Sequence, residues 1–244
     1  MPEIELIKFK EFDLNDAVII EGFPSVGLIS PIVINYLIAT LNLDQICALD
    51  SNDFPPVSMV YAAKPKFPAR IYASEKLKVC VFLSEFSPHS KLARPLSKVI
   101  TSFASTNKCS LIVSTEGIPA HQEEIKGERV VRGVGSTSRC RERLNRSQIP
   151  QLDRGIISGV SGALLNEGRR HGFDVICLLI EAEPQPMDAM AAAKIVEAID
   201  KLLPQIKIDV KPLYKRAKQI EEQLKRLRQQ AKPAESEAIS PTYR

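Results

Sequence analysis

The sequence predicts an α/β protein: a three-layer sandwich with a mixed, largely parallel central sheet, followed by a C-terminal helix and a flexible tail. Three observations carry this reading. Apolar runs of strand length alternate with longer segments of helical period. The strand runs are almost unbroken Val, Ile, Leu and Cys, as expected of strands covered on both faces. After Pro212 the texture changes to a charged, amphipathic repeat.

The elements follow in order. "AVIIEG" reads as a strand and "SVGLISPIVINYLIATL" as the helix after it; "LKVCVFLSE" pairs in the same way with "KLARPLSKVITSFAST". "SLIVSTEG" is a third strand, "SGVSGALLNEGRRHG" begins a helix, and "FDVICLLIEA" precedes the helix "MDAMAAAKIVEAIDKLL". "PVSMVYAA" and "ARIYAS", joined by "KPKFP", read as a hairpin near the sheet edge, because proline is tolerated there. The sequence divides into a core domain over 1–210, a basic amphipathic helix over 211–232 and a disordered tail over 233–244.

Composition narrows the function classes. The chain has 244 residues, 44% apolar and 25% charged, which fits one sizeable globular domain. No run approaches the roughly 18 apolar residues of a membrane span, and "MPEIELIKF" lacks the pattern of a secretory signal. A cytoplasmic protein is expected. The five cysteines form no C-x-x-C pair and have three histidines to join them, so neither a metal nor another cofactor is expected. Most read as small core hydrophobes. Cys140 differs, because Arg139 and Arg141 flank it and positive charge lowers a thiol pKa.

Several stretches invite a chemical reading. "EGFPSVGLIS" places Gly22, Phe23, Pro24 and Gly27 at a strand-to-helix junction, where phosphate loops often lie, but it is neither a Walker loop nor G-x-G-x-x-G. A tight turn explains the glycines more simply. The acids Glu85, Glu116, Glu181 and Glu183 fall at strand ends, the usual position of α/β sites, with Gly117 beside Glu116. They are the strongest case for an enzyme. Against it, His89 and His121 have no established partner, His171 lies in a basic turn, and no serine sits in G-x-S-x-G. "RCRERLNR" reads as a solvated basic face; without interleaved aromatics, nucleic-acid binding is disfavoured.

The final segments carry a different signal. Leu213, Ala217, Ile220, Leu224, Leu227 and Ala231 recur at spacings of 4, 3, 4, 3 and 4, a seam fit for docking on the domain or on a second subunit. Residues 211–232 hold eight Lys and Arg against two Glu, more than the whole chain's net +4, so the rest of the chain is slightly acidic. The tail ends in Thr242, Tyr243 and Arg244, and an aromatic ring is unusual in a solvated tail.

"GFPSVGLIS", "SEFSP", "STEGIP", "GIISGVSGALLNEGRRHGFDVICLLIEA" and "MDAMAAAKIVEAI" together resemble the proteasome assembly chaperone 2 family in its archaeal branch. The resemblance spans roughly Glu21 to Leu203. It implies a fold similar to nucleoside phosphorylases, no enzymatic activity, and as partner the α-ring of the 20S core particle. It also implies a homo-oligomer, expected as a tetramer. In this family the terminal Thr242-Tyr243-Arg244 looks like the hydrophobic-Tyr-any motif that docks between α subunits, with Thr242 smaller than the motif prefers. The alternatives are a nucleoside-phosphorylase-like enzyme with a pocket at Gly22, Phe23, Pro24, Gly27, Glu116, Gly117 and Glu181, or nucleic-acid binding through the basic helix.

Overall fold

The computed structural model describes residues 3–24, 26–120, 128–183 and 188–217. Its centre is an eight-stranded sheet in the order β1-β3-β6-β7-β2-β8-β10-β9. The strands are β1 (Glu5–Lys8), β2 (Val18–Gly22), β3 (Asp44–Asp50), β6 (Ala69–Ser74), β7 (Val79–Ser84), β8 (Leu111–Pro119), β9 (Arg132–Gly135) and β10 (Val175–Ala182). β7, β2, β8 and β10 are mutually parallel, and antiparallel strands flank them on both sides. The central strands are mostly apolar runs, because a strand paired on both edges and covered on both faces favours apolar side chains.

Helices cover each face. α1 (Ile29–Thr40), α3 (Ser138–Arg146) and α5 (Ala189–Leu202) pack on one side through Ile34, Leu37, Leu144, Ile195 and Ile199. α2 (Ala93–Thr106) and α4 (Gly159–His171) pack on the other through Leu96, Ile100, Phe103, Val160 and Leu164. Phe82 of β7 meets Phe103 edge-on, with ring centroids 5.4 Å apart. Local chemistry sets the helix ends. The Thr137 side chain accepts from the Cys140 N–H at the start of α3, Asp188 accepts from the Ala191 N–H at the start of α5, and Gly172 closes α4 at φ 67°.

The expected hairpin is corrected. "PVSMVYAA" does not pair with "ARIYAS"; β4 (Met59–Tyr61) pairs with β5 (Lys64–Lys66) in a separate ribbon. The turn is Ala62-Ala63, both at positive φ (50° and 59°). A turn of this hand normally carries Asn or Gly, so the sequence hides it. Pro65 is accommodated because each strand of a two-stranded ribbon has one edge without a ladder. β6 lies between β3 and β7, inside the main sheet rather than at its margin.

Residues 211–217 are helical. Leu213 belongs to the domain's own core and Ala217 is fully buried, so the first turns dock on their own chain. Ile220, Leu224 and Leu227, like Thr242, Tyr243 and Arg244, lie outside the described residues. Among the described residues no helix is long and apolar enough to cross a membrane.

Candidate functional site

β2 alternates. Val18 and Ile20 point to the α1/α5 face, and Ile19 to the α2/α4 face. Period-two geometry sends Glu21 to the α2/α4 side as well. The same rule on β8 and β10 puts Ser114, Glu116 and Cys177 on that face, in register across the sheet: Glu21 opposite Ser114, and Ser114 opposite Cys177. α4 covers them and contributes Ser161. A polar cluster thus sits on the α4-covered face of three adjacent parallel strands, with Glu21 next to the last residue of β2 and Ser114, Glu116 and Cys177 inside β8 and β10.

Its interior is short of hydrogen-bond donors. Glu21 is 1% exposed; its Oε1 accepts the Phe23 N–H at 2.7 Å, while Oε2 takes no hydrogen bond. Glu116 Oε2 accepts the Ser161 hydroxyl at 2.9 Å. The Ser114 hydroxyl lies 3.5 Å from the Cys177 sulfur. Burial pushes the Glu21 carboxyl up to about 8, and the neighbouring Glu116 adds to the rise. Burial raises Glu116 to about 7, against the stabilising Ser161 bond. The Cys177 thiol is pushed up to about 12 by the same burial, reinforced by the two carboxyls. At neutral pH Glu21 is therefore a protonated acid and Cys177 an inert thiol. The cluster can hold and exchange a proton, but it contains no activated nucleophile.

The loop leaving β2 is built by close approach. Gly27 adopts φ 68° and Leu28 φ 51°, two successive left-handed residues that turn the chain into α1. The Gly27 carbonyl accepts the Asp188 N–H at 2.9 Å. A side chain on Gly117 would lie 2.4 Å from the Val26 carbonyl oxygen. Both glycines therefore allow loop and strand to touch.

The residues singled out from sequence are only partly brought together. Gly22 packs on Ile34 of the α1 face, whereas Phe23 is buried on the opposite side. Pro24 is half-buried, and Glu181 shares the α4 face but ends exposed. Glu85 is bound in an ion pair to Arg70, and Glu183 lies 3.9 Å from Arg129. Glu21, the most buried acid of the site, is not among the residues that sequence reasoning selects. Its signal is an acid inside the otherwise apolar "AVIIEG", at two-residue spacing from Ile19.

Cys140 is also corrected. It is 1% exposed, and burial raises its thiol pKa where flanking arginines had suggested a fall. Sequence neighbours on a helix diverge by about 100°, and Arg139 turns outward to bind Asp174. The other arginines of α3 reach the Gly135 and Leu202 carbonyls or Glu142. Among the described residues no group of three or more His, Cys, Asp or Glu could hold a metal ion.

A mixed sheet with a parallel centre, helices on both faces and a pair of carboxyls under α4, Glu21 buried and Glu116 half-buried, defines an α/β sandwich. Residues 19–228 match the model of the PAC2 family, and the chain belongs to that family. It is 30% identical to Pyrococcus furiosus PbaA, an archaeal homolog of proteasome-assembly chaperone, with a TM-score of 0.84 over 94% of this chain and 93% of that one. Pyrococcus furiosus PbaB, an archaeal proteasome activator, shares the fold with a TM-score of 0.79 at 22% identity, over 93% of this chain and 100% of that one. An uncharacterized Methanocaldococcus jannaschii protein, MJ0106, is 27% identical over 93% of each chain.

Proposed function

We propose that this chain is a non-catalytic proteasome-binding protein. It docks on the α-ring of the 20S core particle through Thr242, Tyr243 and Arg244, as an assembly chaperone or as an ATP-independent activator. One observation carries this reading: the whole-length likeness to PbaA. The tail chemistry supports it, since an aromatic ring fits an apolar crevice and its hydroxyl can hydrogen-bond there. The seam residues Ile220, Leu224 and Leu227 support a homo-oligomer, in which several tails engage one ring and gain avidity.

Surface plasmon resonance against immobilised 20S core particles tests the docking. Tyr243→Ala should cost on the order of 2 kcal/mol per occupied pocket; Thr242→Leu should tighten binding, and one residue appended after Arg244 should weaken it. Equal affinity for all four forms overturns the tail assignment. Faster hydrolysis of a fluorogenic peptide by mature core particles marks an activator, and faster α-ring formation from purified subunits marks a chaperone.

The carboxyl pair of buried Glu21 and half-buried Glu116 favours a second, catalytic reading. Phosphorolysis of nucleosides that disappears in Glu116→Gln would establish it; we expect none, because no nucleophile–base pair is assembled among the described residues.

A further inference from the structure

A groove of about 860 Å³ runs along the outer side of the α2/α4 layer. Small and apolar residues, Ala93, Ile157, Gly162 and Ala163, share its lining with the polar Ser90 and Asn166. A side chain on Gly162 would lie 2.2 Å from the Ile157 carbonyl oxygen, so the segment before α4 is held tightly against the helix. Ile156, next to Ile157 in the chain though not part of the lining, is 98% exposed.

The rim is cationic. Lys91 and Arg94 stand at the start of α2, and Arg169 and Arg170 at the end of α4. Glu167, the one acid among the described lining residues, is 9% exposed and already bound to Arg170 at 3.2 Å and His171 at 3.3 Å. Lys91, Arg94 and Arg169 have no ion pair among the described residues. Outside residues 211–232 the chain is slightly acidic, so a local excess of positive charge beside small and apolar lining residues is not an average property of this surface.

We propose that this groove docks an extended acidic segment of a partner protein, its carboxylates meeting Lys91, Arg94 and Arg169 and its intervening apolar side chains lying on Ile157 and Ala163 beside Ile156. Charge complementarity selects acid, and the apolar part of the lining selects a peptide over a nucleic acid. The described lining residues offer no aromatic ring for a base to stack on. The contact uses none of Thr242, Tyr243 and Arg244.

The test is fluorescence anisotropy with the full chain and a labelled peptide of alternating glutamate and leucine, beside its glutamine–leucine counterpart. The glutamate peptide should bind more tightly, and less so as salt rises. Arg94→Glu with Arg169→Glu should weaken it about tenfold or more, and so should the milder pair Arg94→Gln with Arg169→Gln, to a smaller extent. Ile156→Ser should weaken both peptides, and Tyr243→Ala should change neither. Equal affinity for the two peptides, or an unchanged affinity in folded charge variants, overturns the proposal. So does a groove that binds polyphosphate or duplex RNA but not the peptide, or charge variants that alter only the oligomer mass in sedimentation.

Discussion

Two buried charged clusters solve the same physical problem in opposite ways. Under the β4–β5 ribbon, Arg70 (side chain 2% exposed) is paired with Glu85 (16% exposed). The Phe67 carbonyl accepts from Arg70 at 2.8 Å, the Tyr61 hydroxyl donates to Glu85 at 2.7 Å, and the guanidinium lies over the Tyr61 and Tyr72 rings. Charge there is buried together with its counter-charge. Beneath α4, Glu21 and Glu116 are like charges with no cation between them, so burial is met by binding a proton. The first cluster is vulnerable to losing a partner. The second is vulnerable to pH.

The largest effect should come from breaking the balanced cluster. Arg70→Met leaves Glu85 half-enclosed without its cation and should cost about 3–5 kcal/mol in denaturant unfolding. Adding Glu85→Gln should recover much of the loss; a double variant no more stable than the single one contradicts the account.

The like-charge cluster should respond to pH instead. Glu21 has its folded pKa raised to about 8, so the native state binds more protons than the unfolded chain between that value and the ordinary carboxylate range. Stability from this group is full below about pH 4.5 and is lost as pH rises through about 8, falling across that window by about 1.4 kcal/mol for each step of one in pH. Glu21→Gln keeps an acceptor for the Phe23 N–H and removes the titration. Melting curves from pH 5 to 9 should flatten, with the variant gaining a few kcal/mol on wild type at the alkaline end. Parallel curves for the two proteins would contradict a buried proton at Glu21.

Ser161→Ala sharpens the contrast at smaller scale. It removes the hydroxyl that Glu116 accepts, at a cost of about 2 kcal/mol where Glu116 is ionised and about 1 kcal/mol where it is protonated. The loss should therefore grow as pH rises through about 7. The smallest effect should be that of Tyr243→Ala on thermal unfolding, within about 0.5 kcal/mol of wild type, because the polar stretch around it offers little apolar surface for a core.

Much of the molecule is legible in sequence. "VICLLIEA" can be little other than a central strand, since eight residues of that composition must be covered on both faces. Asp188 and Gly172 mark helix ends by chemistry confined to a few neighbouring residues. Ala62 and Ala63 are opaque, because a left-handed turn without Asn or Gly leaves no local trace. Glu21 is half legible: an acid in an apolar strand is conspicuous, but whether it meets a cation or another acid depends on β8.

The sequence by itself determined the alternation of strands and helices, the two-sided burial of the central strands and the family. Only the tertiary structure decided that β6 leaves its neighbour β5 for the main sheet, that Glu21 shares a face with Glu116 and Ser161, and that Leu213 docks on its own domain. It also decided that α2 and α4 together leave a basic groove. The physical reason is range. Periodicity and caps are set by residues within a turn or two of one another, whereas these pairings join segments far apart in the chain, as Ser161 meets Glu116 across 45 residues, and depend on which surfaces bury each other best.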